Sequence, residues 1–306
     1  MNTDKTITQL IDQFTSELDV QDNSKHLYRR NVKAFYRWVQ AANKEPYDLS
    51  RSDVIEYKKH ILEECKHSLL TVDSYLTAVR RFYDWLELND ISSNIVAGIR
   101  NPKRYRGFRK DPLTSDQVNE LLNSIDRSTF KGKRDYVMVI LMVKCALRSV
   151  EISRLNYEDI DQQNDTYGLW VTGKGSAGNK VFVPITDNIY HHLEQFVVSK
   201  TDIGDGEPLF TTLAYSTRGA RLSPKAIGTV VKHRIRKAGV KSKRVTAHSL
   251  RHTAAVLLIK KGASLYDVQL FLRHRSPNTT EIYTRMIEEE KRLSNIPGRM
   301  LDEMLA

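Results

Sequence analysis

Cysteine is scarce: only Cys65 and Cys145 occur, far apart in the chain. That excludes a disulfide framework and a cysteine-rich zinc site, and it makes a reducing, cytoplasmic setting the default. Long hydrophobic runs are also missing. The longest uncharged apolar stretch, Val137 to Val143, is far too short to span a bilayer. The opening residues, Met1-Asn-Thr-Asp-Lys-Thr, carry no apolar signal core, so neither a membrane span nor a secretory leader is expected. No internal repeat or long low-complexity tract is visible. Acidic charge is the third deficit: 37 Asp and Glu face 48 Lys and Arg, a net +11 over 306 residues. That length exceeds one ordinary core and predicts two domains. The charge is uneven, with residues 1–98 at net −2, 99–114 at +5 and 115–306 at +8. A basic middle and second half favour a phosphate-backbone partner.

What is present reads mainly as helix. The spacing predicts helices from Ile7 to Leu18, from an N-cap at Ser24 to about Gln40, from Asp53 to Cys65 and from Ser68 to Leu88. Lys25, Arg29 and Lys33, with Arg30 and Arg37, share one sector of the second helix, opposite an apolar side. On the fourth helix Val72, Tyr75, Leu76, Val79, Phe82, Tyr83 and Leu86 form an apolar stripe. Ser74, Thr77 and Arg81 lie across from it and suit groove and phosphate contacts. A short coda, Ile91 to Ile99, precedes a linker over 99–114. The linker holds two prolines and six basic residues, among them Arg104 and Arg106, and reads as a strap across a duplex backbone. Beyond it the pattern gives a helix to Ile125, a nearly all-apolar helix from Arg134 to Leu147 that should be central, and a helical turn over Ser149–Leu155. Asp159-Ile-Asp reads as a turn. Strands Tyr167–Thr172 and Lys180–Ile185 form a hairpin, and helices follow at Asp187–Ser199, Pro224–Ala238, His248–Lys261 and Leu265–Arg273.

Two motifs mislead. Gly168 to Lys174 fits G-x-x-x-x-G-K, yet Gly175 stands where Ser or Thr is required and the flanks are strands, so nucleotide binding is not expected. His248 and His252 have the spacing of a zinc pair but lack the intervening glutamate of H-E-x-x-H. The stretch from Thr246 to Arg285 carries more. His248 and Arg251 sit at i and i+3, His274 opens the next loop, and Tyr283 follows. Arginine grips phosphate through a permanently charged fork, histidine moves protons near neutral pH, and tyrosine serves as a covalent nucleophile. Together they point to phosphoryl transfer through a phosphotyrosine.

His248-x-x-Arg251, Leu272-Arg273-His274 and Tyr283 resemble the carboxy-terminal signature of the tyrosine recombinases of the phage integrase and Xer type. Upstream, Ala146-Leu-Arg148-Ser-Val-Glu151 resembles that family's first arginine box, and Gly173-Lys174-Gly175 with Val183-Pro184 resembles its lysine hairpin. The resemblance implies a chain that is mainly α with a small β-sheet. A helical core-binding domain over 1–98 would be joined by the linker to an α+β catalytic domain over 115–306. It implies a catalytic set of Arg148, Lys174, His248, Arg251, His274 and Tyr283, with Glu151 in support and no metal or other cofactor. It implies double-stranded DNA carrying a specific site as partner, with a dimer per core site and a tetramer in synapsis. The task would be integration, excision, or resolution of dimers or transposon cointegrates. Within this sequence Lys180 rivals Lys174, because the hairpin tip is long. Ala146 and Arg273 occupy positions where the family usually has glycine; Arg273 would either crowd the site or add a phosphate contact. The last residues, with Met300, Leu301, Met304 and Leu305 on one face, are expected to dock on a neighbouring protomer. A type IB topoisomerase-like enzyme and a non-catalytic DNA-binding regulator are the alternatives.

Overall fold

The apolar stripe of the fourth predicted helix is the wall on which the amino-terminal unit is built. In the computed structural model the chain divides into two compact units, Met1–Tyr105 and Arg106–Ala306. The structure describes residues 6–102, 111–173, 178–200, 206–274, 280, 282, 283, 288, 292 and 297–305. The first unit is helical: α1 (Ile7–Glu17), α2 (Asp22–Ala41), α3 (Arg51–Lys59), which runs on as a π-helical turn over His60–Glu64, and α4 (Leu69–Leu88). Val72, Leu76, Val79, Phe82, Tyr83 and Leu86 of α4 are buried against Phe14 of α1 and Val32, Phe35 and Val39 of α2. Several of the aromatic contacts are edge-on, as the ring quadrupoles favour; Phe14 meets Phe82 at 5.3 Å between centroids and 74°. Each buried Phe contributes roughly 1.5–3 kcal/mol of transfer free energy, so this cluster outweighs the modest helix propensity of its residues. Ser68 caps α4 by accepting from the Thr71 N–H. The cap of α2 falls at Gln21, so Ser24 lies inside the helix. The coda after α4 forms turns.

The second unit holds α5 (Ser115–Asn123), α6 (Phe130–Lys144), α7 (Ser149–Arg154), strands β1 (Ile160–Gln163), β2 (Thr166–Thr172) and β3 (Lys180–Pro184), then α8 (Asp187–Val198), α9 (Pro224–Lys237), α10 (Ala247–Lys260), α11 (Leu265–Leu272) and α12 (Pro297–Leu305). The strands make one antiparallel sheet in the order β1-β2-β3. β1 corrects the turn expected at Asp159-Ile-Asp. Its residues, Ile160-Asp-Gln-Gln, are an exposed edge with no apolar alternation to announce it. Gly168, the first glycine of the misleading nucleotide-binding pattern, sits in β2 opposite Pro184. A methyl group there would stand 2.1 Å from the Phe182 ring, so its role is packing.

α6 is the central element and is buried almost all round, packing on α5, α8, α9 and α10. It starts at Phe130, capped by Thr129, four residues before the expected start. Its first turns carry a buried charge cluster. Asp135 accepts from Arg134 Nη2 at 2.7 Å and from Arg234 Nη2 of α9 at 2.7 Å, while Arg134 Nη1 donates to the Thr211 carbonyl at 3.0 Å. All three charged side chains are nearly or wholly buried. Removing the carboxylate leaves two guanidiniums in the interior without a counter-ion, a loss of roughly 3–5 kcal/mol. We therefore expect Asp135→Asn to lower the unfolding free energy by that amount in urea denaturation. A midpoint shift equivalent to under about 1 kcal/mol would show that the cluster does not hold α6 to α9.

Candidate active site

Two left-handed turns frame the site. Ala146, just after α6, has φ 51°, and Arg273, just after α11, has φ 52°. L-residues adopt this region at a cost of roughly 1–2 kcal/mol, which glycine avoids. These are the two positions where glycine was expected, and here side chains occupy them. Arg273 adds a clamp in return. Its Nη1 donates to the Cys145 carbonyl at 3.2 Å and the Phe271 carbonyl at 3.1 Å, and its Nη2 donates to the Ala146 carbonyl and to Glu151 Oε2, each at 3.2 Å. In this structure Arg273 is therefore a brace between the turns and a partner of Glu151.

Arg251, in the second turn of α10, is 1% exposed. Its Nη1 donates to the Ala146 carbonyl and its Nη2 to the Leu272 carbonyl, so it ties together the same two turns. Burial first, then Arg148 and Arg273, press its pKa down to about 9, still protonated at neutral pH. The Ala146 turn delivers Arg148 at the head of α7. There the Arg148 N–H donates to Glu151 Oε2 at 2.8 Å and its Nη1 to Oε1 at 2.6 Å. Burial pushes the Glu151 carboxyl up, but Arg273 and Arg148 outweigh it, so its pKa lies below the ordinary value. Arg148 and Arg273 thus share one buried carboxylate, and Arg251 lies within its electrostatic reach. The surplus positive charge suits an anion, and a phosphodiester supplies one.

Tyr283 packs into a small core with Ala254, Ala255, Val256, Val268 and Leu272. It is 1% exposed, and burial raises its pKa to about 12 against the opposing pull of Arg251 and Arg148. Its hydroxyl lies 2.6 Å from His252 Nδ1. His252 was read from the sequence only as half of a rejected zinc pair. Its place four residues after His248 on α10 was visible, but its meeting with Tyr283 is a tertiary contact that spacing does not encode. His248 is exposed, and its ring stands nearly perpendicular to that of His252, 4.5 Å between centroids. His274 Nδ1 lies 3.0 Å from Thr280 Oγ1, and burial, then Arg251 and the other arginines, lowers its pKa to about 4. Lys174 lies outside the described residues. Its rival Lys180 is held by the buried carboxylate of Asp159, with Glu158 beside it at 3.8 Å. Among the described residues no group of three or more His, Cys, Asp and Glu is placed to hold a metal.

The residues expected to meet DNA from the first unit have intramolecular partners. Lys25 Nζ donates to the Ser16 carbonyl at 3.1 Å, Arg29 Nη2 to Thr15 Oγ1 at 3.1 Å, and Lys33 lies 3.9 Å from Asp12. Arg29 and Lys33 nonetheless keep about two-fifths of their side chains exposed. Ser74 accepts from Asn31 Nδ2 at 3.1 Å and links α4 to α2. Thr77 accepts from Asn101 at 3.4 Å, and the exposed Arg81 lies over the Tyr28 ring at 5.1 Å. Arg104 and Arg106 lie outside the described residues, as does the side chain of Met300. On α12, Leu301, Met304 and Leu305 are exposed. No helix among the described residues is long and apolar enough to cross a membrane.

Comparison with known proteins matches residues 112–290 to the phage integrase family and residues 8–93 to the phage integrase N-terminal SAM-like domain. A tyrosine recombinase of Pseudothermotoga lettingae is 29% identical over 274 residues, covering 89% of this chain and 90% of the relative. Among solved structures, the XerH site-specific recombinase in a post-cleavage complex with palindromic difH substrate superposes with a TM-score of 0.75 at 20% identity, over 94% of this chain and 83% of that one. A lambda integrase tetramer bound to a Holliday junction gives 0.70 at 18% identity, over 92% and 78%. At these identities the two structures establish a shared fold.

The lowered histidine pKa values carry a stability prediction. His252 is pushed down to about 3, by burial and then by His248, Arg251 and His274; His274 is at about 4, against an ordinary 6.5. Below pH 6.5 the unfolded chain binds protons that the folded chain refuses, so stability falls as the pH drops from 6.5 towards 4 and 3, and is fully present above 6.5. Between pH 7 and 5 each imidazole accounts for at most about 2 kcal/mol, less after allowance for its partial exposure. Urea denaturation at pH 7, 6 and 5 should show this loss, and His252→Gln with His274→Gln should flatten it. Equal losses in the double variant and the parent would assign the acid sensitivity elsewhere.

Proposed function

The chain belongs to the phage integrase family, and from that premise we propose how it works: as a tyrosine site-specific recombinase it cuts and rejoins duplex DNA through a 3′-phosphotyrosyl intermediate and a Holliday junction. The observation that carries this reading is the meeting of a buried tyrosine hydroxyl with surplus guanidinium charge, since Arg251 and Arg148 both act electrostatically on Tyr283. Arg148 and Arg251 hold the scissile phosphate and stabilise the charge that develops on it. Tyr283 attacks phosphorus, leaving a free 5′-hydroxyl. Lys174 protonates that leaving oxygen, His248 acts in proton transfer to and from the tyrosine and the incoming hydroxyl, and His274 hydrogen-bonds the phosphate. Glu151 orients Arg148. The ester energy is kept in the phosphotyrosine, so rejoining needs no external energy source.

The helical unit serves as the core-binding domain, with Lys25, Arg29, Lys33, Ser74, Thr77 and Arg81 towards DNA, and the linker residues Arg104 and Arg106 strap the backbone. The partners of Lys25, Arg29 and Lys33 on α1 fit this role, because exposed ion pairs and hydrogen bonds of this kind are worth under about 1 kcal/mol and yield to phosphate. The protein acts in the cytoplasm as a dimer on each core site and a tetramer in synapsis. The exposed Leu301, Met304 and Leu305 of α12 support docking on a neighbouring protomer.

On a nicked suicide substrate the parent protein should form a covalent protein–DNA band on a denaturing gel, and Tyr283→Phe should bind without forming one. Arg251→Lys should cleave about a hundred- to a thousand-fold more slowly, because a point charge does not replace the fork. A persistent band in the phenylalanine variant would remove Tyr283 from the mechanism. Site-independent plasmid relaxation in place of site-dependent exchange would indicate a topoisomerase.

Deletion of residues 298–306 tests the tail. A single site should be bound nearly as well as by the full chain, with cooperative binding and recombinant product lost. Recombination at the parent rate would end the docking idea.

A further inference from the structure

Tyr283 must lose its hydroxyl proton as it bonds to phosphorus; the six-residue set gives that transfer to His248, whereas an imidazole outside the set, His252, stands at hydrogen-bond distance from the hydroxyl. We propose that His252 is a further catalytic residue, the group that takes the Tyr283 proton on cleavage and returns it on rejoining. The inference rests on the recombinase reading above. Its geometric basis is the 2.6 Å separation between Tyr283 Oη and His252 Nδ1, the short distance of a strong hydrogen bond. The two rings lie 5.6 Å apart between centroids, on the edge of the apolar cluster that buries the tyrosine.

The surroundings set the protonation of both partners. His252 is faced by His248 and Arg251 of its own helix, by His274 after α11 and by Tyr283. Burial first, then His248, Arg251 and His274, keep the imidazole neutral at neutral pH. A tyrosine with a pKa near 12 keeps its proton there. In the tautomer that carries its proton on Nε2, Nδ1 accepts from the Tyr283 O–H, the arrangement that a general base requires. An arriving phosphodiester places negative charge beside Arg251 and Arg148, which offsets the cations that hold the basicity of His252 down. The base thus gains strength when the substrate is in place.

The step balances as follows. The Oη–P bond forms, the P–O5′ bond breaks, the phenolic proton moves to Nδ1 and leaves an imidazolium, and the departing O5′ receives its proton from a separate acid. His248 is exposed, and its ring stands 4.5 Å from that of His252. On rejoining, the 5′-hydroxyl returns its proton to the conjugate base of that acid as the O5′–P bond forms, the Oη–P bond breaks, and the imidazolium protonates the leaving phenolate.

The test uses the full chain and a suicide substrate in two forms, one ordinary and one with a bridging 5′-sulfur, whose thiolate leaves without a proton. His252→Asn keeps a hydrogen-bond acceptor near the Nδ1 position but does not accept a proton at neutral pH. We expect this variant to bind the site and melt as the parent does, and to cleave the ordinary substrate about a hundred-fold more slowly or worse. The sulfur substrate should leave that defect in place, because the deficit lies on the nucleophile side. From pH 7 to 9 the variant's rate should rise nearly tenfold per unit, following the phenolate fraction of Tyr283, while the parent's rate stays flatter. A purely structural role would produce no such slope. Parent-like cleavage by His252→Asn, or rescue by the sulfur substrate, would overturn the assignment. If the parent itself forms no covalent adduct, the recombinase reading fails; if only the His252 results fail, that reading stands.

Discussion

Burial of the Arg251 guanidinium is the constraint on which the site depends. A permanent cation in an apolar interior must be fully hydrogen-bonded, and two main-chain carbonyls, those of Ala146 and Leu272, satisfy it. Both carbonyls are brought to it by residues in the left-handed region or beside one, Ala146 and Arg273. The two turns that present Arg148 and His274 are thus stapled by the same charge that a phosphate would meet. Arg273 repeats the stapling from the other side, through the Cys145, Phe271 and Ala146 carbonyls and Glu151. Were Arg251 to turn its donors to a phosphate, Arg273 would still link the turns. The site is preorganised by backbone carbonyls held in place, and the packing of α6, α7, α10 and α11 serves that end.

Much of this was legible in the sequence, because helices with one apolar stripe announce themselves by period. The stripe on α4, the Ser68 cap and the apolar run of α6 emerge from residue type alone. β1 does not, since an edge strand of Asp and Gln has no hydrophobic alternation to detect. The start of α2 is equally silent: its cap residue, Gln21, makes no side-chain capping bond, whereas Ser24 looks like a cap and sits within the helix. At the site, the residue types of Arg148, Arg251, His274 and Tyr283 could be read off. The contact of His252 with Tyr283 and the brace made by Arg273 could not, because both join segments far apart in the chain. Ser74 teaches the same lesson: a short polar residue on the polar side of a helix spends its hydroxyl on Asn31 of another helix.

Tyr283 is almost completely covered. A protein that searches a genome meets on the order of a million to a billion wrong phosphodiester positions for each right one. With the proposed nucleophile covered, contact with DNA would not yet be contact with chemistry. Each 1.4 kcal/mol that uncovering required, and that only the correct site returned in binding, would lower stray nicking tenfold relative to productive cleavage. A few apolar neighbours around one ring would thereby act as a proofreading step, imposed before any bond is broken and independent of how well the bases themselves are read.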